Sequence, residues 1–319
     1  MKIKGFLALG ATFAALVAGA VWWRLAPTPV PTLPGLTDAQ MAERFAEPLP
    51  APDSPLRVFH IGHSLVNRDM PAMLAQLAGE GHSYESQLGW GATLKSHWGD
   101  APVNGFETEN SHPRYRDARE AVASGDYDAV VLTEMIGIRE ALRYFESSSY
   151  LTRFTQSALA ARPDTRVYLY ETWHPLDDPD GWLERLDADL ARYWKGGILR
   201  PALLKLPADT RIHLIPAGQA LAAFVREVEA QGGVGNVRNR ADLFSDQIHL
   251  NDIGNYLVAL VHYAVLYGSS PEGLPHELLR ADGTPATAPA PETARLMQEV
   301  VWRVVRSLPA TGLAADSPS

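Results

Sequence analysis

Apolar and polar positions fall into two alternating regimes between about residues 55 and 308. Short apolar runs rich in Val, Ile, Leu and Tyr occur at Leu56–Ile61, Tyr84–Leu88, Asp128–Thr133, Arg166–Glu171 and Arg211–Ile215. Each has the length and bounding residues of a buried strand. Longer segments with helical spacing separate them. In Met70–Gly79 the apolar positions are Met70, Met73, Leu74 and Leu77, which fall on one helix face. Tyr150–Ala161, Trp182–Tyr193 and Gln219–Glu229 follow the same spacing, and Ile253–Tyr267 and Pro291–Leu308 close the series. Strands alternating with helices predict an α/β chain: a three-layer α/β/α sandwich around a parallel sheet of about five strands. No internal repeat interrupts the pattern, so residues 56–308 read as one domain.

The ends follow other rules. Lys2 and Lys4 precede an uncharged stretch from Gly5 to Trp23, with Arg24 after it. That length spans a bilayer core, and the basic end stays on the cytoplasmic side. Residues 1–25 therefore read as a signal anchor that places the domain on the periplasmic, extracytoplasmic side of the cell membrane. A cleaved signal peptide is the alternative, since Ala18-Gly19-Ala20 has the form of a cleavage site. Residues 26–55 begin with a proline-rich tract, Ala26 to Gly35, that reads as an extended spacer. Residues 309–319 are small and polar and read as a disordered tail.

Composition narrows the function classes. The chain of 319 residues has a formal charge of −9 and no dense basic tract, which argues against nucleic acid as a partner. It has no cysteine, which excludes thiol catalysis, disulfides and zinc–thiolate sites. His60, His63 and His97 lack the spacing of a metal motif, so no metal is expected.

The candidate chemistry sits just past the strand ends, where open parallel sheets build their sites. Gly62-His63-Ser64-Leu65 ends the first strand in a tight turn that exposes a hydroxyl. Ser245-Asp246-Gln247-Ile248-His249 lies in a polar loop before the penultimate helix. A serine hydroxyl needs a base, and the base needs an orienting carboxylate. Ser64, His249 and Asp246 are the candidate nucleophile, base and orienting acid. Candidate oxyanion donors are the backbone N–H groups of Ser64 and Gly91, with Thr133 or Glu134 as a third donor. Trp90, His97, Trp98, Trp173 and His174 fall near the same strand ends and are candidate substrate contacts, their rings suited to sugar faces and hydroxyls.

Together these blocks resemble the SGNH, or GDSL-like, hydrolase superfamily. Gly62-His63-Ser64-Leu65 matches the Gly-Asp-Ser-Leu block, with His63 in place of Asp. Gly91-Ala92-Thr93-Leu94 with His97-Trp98 resembles the glycine block. Asp246 and His249 match the closing Asp-x-x-His, and Leu250 to Tyr256 resembles the start of the last family helix. The third block departs, because Thr133-Glu134 stands where the family usually has asparagine. The resemblance spans about residues 56–268. It implies a flavodoxin-like α/β/α fold, a Ser-His-Asp mechanism and no cofactor. It also implies ester substrates among lipids, sugars, peptidoglycan or polysaccharides, with acetyl transfer in some relatives. The expectation is a membrane-anchored carboxylic ester hydrolase acting on, or transferring, an O-acyl group, foremost O-acetyl, of a carbohydrate or cell-envelope glycan. The alternatives are a non-catalytic glycan-binding or assembly protein on the same scaffold, and a lipase or lysophospholipase.

Overall fold

A computed structural model of the chain describes residues 29–314. Its centre is a five-stranded sheet of β1 (Arg57–His63), β2 (Ser83–Gly89), β3 (Ala129–Leu132), β4 (Arg166–Glu171) and β5 (Ile212–Pro216). All neighbours pair in parallel, in the order β2-β1-β3-β4-β5. This is the flavodoxin-like order, whose direction of winding reverses between β1 and β3. The crevice at that reversal is where the chain after β1 and the chain after β3 part.

The principal helices are α1 (Asp38–Arg44), α2 (Asp69–Ala78), α3 (Leu94–His97), α4 (Ala118–Ser124), α5 (Ser147–Ala161), α6 (Trp182–Asp189), α7 (Ala217–Ala230), α8 (Asp252–Tyr267) and α9 (Pro291–Ser307). Successive strand side chains point to opposite faces, so each strand feeds two cores. Val58, Val131, Tyr168 and Tyr170 join one core, with Met70, Phe224, Leu257 and Met297 from α2, α7, α8 and α9. Phe59, Ile61, Val130, Leu132 and Leu169 join the other, with Met41, Val122 and Phe154 from α1, α4 and α5. Burial on both faces explains the continuous apolar runs of the strands.

The expected strands and main helices are found to within three residues, and three stretches differ. The helix expected over Trp182–Tyr193 is α-helical only to Asp189 and continues as a π-helix over Leu190–Leu199. Gly197 lies there against Leu142, where an added Cβ would come within 2.7 Å of Cδ1. The segment read as a spacer carries α1, held by a Thr37 capping box and by burial of Met41 and Phe45. The Arg44 guanidinium donates to the Thr210 carbonyl at 2.6 Å, which fastens α1 to the domain. In the stretch read as a tail, Pro309–Thr311 forms a 3-10 turn, and the buried Thr311 hydroxyl donates to the Val305 carbonyl at 2.8 Å. The anchor read at residues 1–25 lies outside the described residues. Among the described residues, no helix is long and apolar enough to cross a membrane.

Candidate active site

β1 ends at the switch point, and its last residues set the position of Ser64. Gly62 packs where a Cβ would come within 2.5 Å of Thr133 Cγ2 and 2.7 Å of Val66 Cγ2. Glycine thus lets the turn after β1 close on β3. Filling that space with a methyl group is expected to cost about 1–3 kcal/mol by overpacking. Urea unfolding of Gly62→Ala beside the wild type measures it. The turn is closed by the Val66 N–H donating to the His63 carbonyl at 2.8 Å.

His63 braces this turn from below. Its Nε2 lies 2.8 Å from the Glu134 carbonyl and its Nδ1 accepts from the Leu65 N–H at 3.3 Å. A carbonyl only accepts and a backbone N–H only donates, so the ring is neutral with its proton on Nε2. Burial holds its pKa down at about 4. The residue that replaces Asp in the serine block is therefore an uncharged strut between β1 and the chain after β3.

His97 braces the same turn from α3. Its Nε2 donates to the Gly62 carbonyl at 2.8 Å, while Nδ1 accepts from Gln87 Nε2 at 2.9 Å. It is 3% exposed with both ring nitrogens engaged. That corrects its reading as a substrate contact: it ties the helix that follows Gly91 to the strand that precedes Ser64.

Ser64, His249 and Asp246 come together as expected from their types. Ser64 Oγ lies 3.0 Å from His249 Nε2, and His249 Nδ1 lies 2.7 Å from Asp246 Oδ2. The other Asp246 oxygen accepts from the Ile248 and His249 N–H groups at 2.8 and 2.7 Å. Chiefly the backbone bond from His249, then its side-chain bond, hold the Asp246 carboxyl down at about 2. The Asp is therefore ionised near neutral pH, and Nδ1 carries the proton between them. That leaves Nε2 free to accept from the serine hydroxyl. The pair is open to solvent, with side chains 42% and 56% exposed for His249 and Asp246.

The loop owes its shape to buried supports. The Trp173 indole N–H donates to the Ile248 carbonyl at 2.8 Å, and the Leu176 N–H donates to the Gln247 carbonyl at 2.8 Å. Trp173 is 2% exposed, so it supports the His249 loop rather than offering a ring to substrate. His174 is likewise buried, donating to the Trp182 carbonyl at 3.0 Å while the Trp182 indole donates back to the His174 carbonyl at 3.0 Å. Both readings as substrate contacts are corrected by this burial.

Gly91 is exposed with φ +55, a conformation that favours glycine, and no neighbour crowds it. Its N–H and that of Ser64 have no acceptor among the described residues, as an oxyanion hole requires before substrate arrives. The third donor is not found where it was expected. The Thr133 hydroxyl is spent on the Tyr170 carbonyl at 2.8 Å. Glu134 is fully buried; its Oε1 accepts from the Met135 N–H at 2.8 Å, and its Oε2 has no partner among the described residues. Burial pushes its pKa up to about 7.

Of the aromatic candidates, Trp90 is 53% exposed and presents an open ring beside Gly91, with its indole N–H donating to Glu109 Oε1 at 2.7 Å. Trp98 is half-buried, edge-on to Phe154 at 4.9 Å and covered by the Arg119 guanidinium at 5.3 Å. It lines a separate open cavity of about 760 Å³. Sequence reasoning missed Asn67. It holds φ +46, caps α2 by accepting from the Asp69 and Met70 N–H groups, and donates to Asn255 Oδ1 at 2.9 Å, so it locks the nucleophile turn to α8. An Asn two residues before an apolar helical pattern is a cap signal.

No family model and no curated protein matches the chain. Among solved structures, a DUF4886 family protein from Bacteroides uniformis superposes with a TM-score of 0.52 over 79% of this chain and 95% of that one, at 13% identity. A GDSL-like lipase candidate from Parabacteroides merdae gives 0.42 at 14% identity, over 70% of this chain and 99% of that one. A carbohydrate esterase family 2 enzyme from Corynascus thermopiles gives 0.39 at 13% identity, over 69% and 68%. At these identities the likeness is one of fold. With the sheet order, the serine turn after β1 and the Asp-x-x-His loop before α8, the chain has the flavodoxin-like α/β/α fold that its resemblance to SGNH motifs implies.

Proposed function

We propose that this protein is a serine esterase that removes, or transfers, an O-acyl group, most simply O-acetyl, on a carbohydrate or cell-envelope glycan. The observation that carries the reading is the continuous chain from Ser64 Oγ to His249 to Asp246. In the proposed cycle Ser64 attacks the ester carbonyl as His249 Nε2 takes its proton. Asp246 stabilises the imidazolium, and the N–H groups of Ser64 and Gly91 hold the oxyanion. The alcohol leaves with the proton from His249. Water then frees the acid, or a glycan hydroxyl takes the acyl group. The extracytoplasmic, membrane-anchored placement rests on residues 2–24 alone.

The missing third donor favours a second reading, a glycan-binding protein that kept the scaffold and lost turnover. A fluorophosphonate probe applied to the full-length protein separates the two. A stoichiometric adduct on the Ser64 peptide, absent from His249→Ala, is the expected result. An unlabelled wild type would remove the esterase reading and leave the binding one.

A further inference from the structure

A second cavity, of about 480 Å³, opens at the β2 edge of the sheet. Its rim grows from the two loops of the candidate active site. Asn67 and Arg68 extend the Ser64 turn into one wall. Glu109, which holds the Trp90 indole beside Gly91, stands in another. The loop at residues 280–282 closes the far side.

The lining is rich in planar polar groups and nearly balanced in charge. Three guanidiniums, of Arg68, Arg114 and Arg280, face three carboxylates, of Asp69, Glu109 and Asp282. Arg280 is paired with Asp252 outside the cavity. Among the described residues Arg68 makes no hydrogen bond or ion pair, and Arg114 stacks on Tyr84 at 4.2 Å, donates to the Tyr84 carbonyl at 3.3 Å and has no carboxylate partner. Asp69 Oδ1 accepts from the Ala281 N–H, and Glu109 Oε1 from Trp90, which leaves the second oxygen of each carboxylate as an acceptor. His112 is held below its ordinary pKa by burial and then by the Arg68 charge, so it adds no net charge near neutral pH.

This lining offers unspent donors and acceptors together with apolar surface from Pro71, Tyr84 and Pro113, and no excess of either sign. A fatty acyl chain would strand those polar groups, and an anion gains no net charge attraction from three guanidiniums set against three carboxylates. A neutral polyol satisfies both kinds of group, and the half-exposed Trp90 ring, bonded to Glu109 of the lining and packed against Gly105 on one face, supplies apolar surface at the cavity's margin. We infer that this cavity is a binding subsite for neutral sugar units adjoining the acylated one, with Trp90 as platform and Arg68 as the principal free donor. Its volume holds two to three sugar rings at roughly 150–200 Å³ each, within the usual range of ligand sites. The inference rests on the glycan-esterase reading for the identity of the polymer, and its test stands apart from turnover.

Titration calorimetry of the full-length protein with xylotetraose, cellotetraose, mannotetraose and chitotetraose, beside trigalacturonate, reads the subsite directly. At least one neutral tetraose is expected to bind, tighter than trigalacturonate, and to weaken fivefold or more in Arg68→Ala and in Trp90→Ala. Arg68 is exposed and makes no hydrogen bond or ion pair among the described residues, so its variant is expected to melt with the wild type. Binding by none of the neutral sugars, stronger binding of trigalacturonate, or unchanged affinity in both variants would overturn the subsite. Wild-type hydrolysis of p-nitrophenyl acetate, run on the same samples, reports the esterase reading separately. Sugar binding without hydrolysis keeps the subsite and removes the esterase.

Discussion

Ser64→Ala and His249→Ala are each expected to lower p-nitrophenyl acetate turnover by at least about 10³-fold, with circular dichroism and melting unchanged. The size follows from the geometry. The Ser64 hydroxyl has one base in reach, His249 Nε2 at 3.0 Å, and without it the hydroxyl is a poor nucleophile. p-Nitrophenolate leaves without needing a proton, so this substrate isolates the role of His249 as base. Residues that act as one unit lose their contributions together. The double variant is therefore expected to fall no further than the worse single one. Asp246→Asn is expected to fall less than either, about 10–10³-fold, because its N–H-bonded oxygen remains but Nδ1–H loses its anion. The Asp246 carboxyl sits at about 2, so it stays ionised through the assayed range. Wild-type turnover no faster than the variants would show that the three groups do not act on an ester.

The fold and the three central residues were legible because each is written locally. Doubly buried strands leave apolar runs, and the helices over them leave one-sided stripes. Ser64 and Asp-x-x-His sit at strand and helix boundaries that those runs already mark. The supporting residues were not legible for the same reason in reverse. Trp173, His174 and His97 lie beside the motifs in sequence, so they read as site residues. Their burial depends on contacts with Ile248, Trp182 and Gly62, none of them a local neighbour. Thr133 and Glu134 occupy the expected block, but the hydroxyl is drawn off to Tyr170 and the carboxyl is fully buried and accepts from its neighbour Met135. Proline content made residues 26–55 look like a spacer. The Thr37 cap and the Met41/Phe45 pair, four residues apart on one face, override it. The wall at residues 280–282 is remote in sequence from every motif, so the second cavity left no local trace.

Stability is expected to fall steeply as pH drops below about 6.5. His63, His82, His97 and His262 are held at about 4 by burial, His213 at about 3, and His60 well below its ordinary value. For each, the folded pKa lies below the ordinary 6.5, so between the two the unfolded chain binds a proton that the folded chain refuses. Stability is present above 6.5 and is lost as pH falls toward 4. Two buried carboxyls act the other way. Glu134 is raised to about 7 and Glu171 to about 8 by burial, so their contribution is present at low pH and is lost as pH rises through those values. Near pH 5, six histidines against two carboxyls leave a net uptake of about four protons on unfolding. At about 1.4 kcal/mol per proton per pH unit, that is a slope of about 5–6 kcal/mol per unit, against a typical total stability of about 5–15 kcal/mol. The urea midpoint is therefore expected to peak near pH 6.5–7, collapse by about pH 5 and decline gently toward pH 8. His60 isolates the cause. Neither of its ring nitrogens has a partner, and it packs against Tyr84 and His262 rings at 6.4 and 6.0 Å. His60→Phe removes one refused proton without breaking a hydrogen bond and should reduce the acid slope by about 1.4 kcal/mol per pH unit. Glu171→Gln should flatten the alkaline side instead. A midpoint that stays level from pH 7 to pH 5 would show that the buried histidines are not what limits this fold in acid.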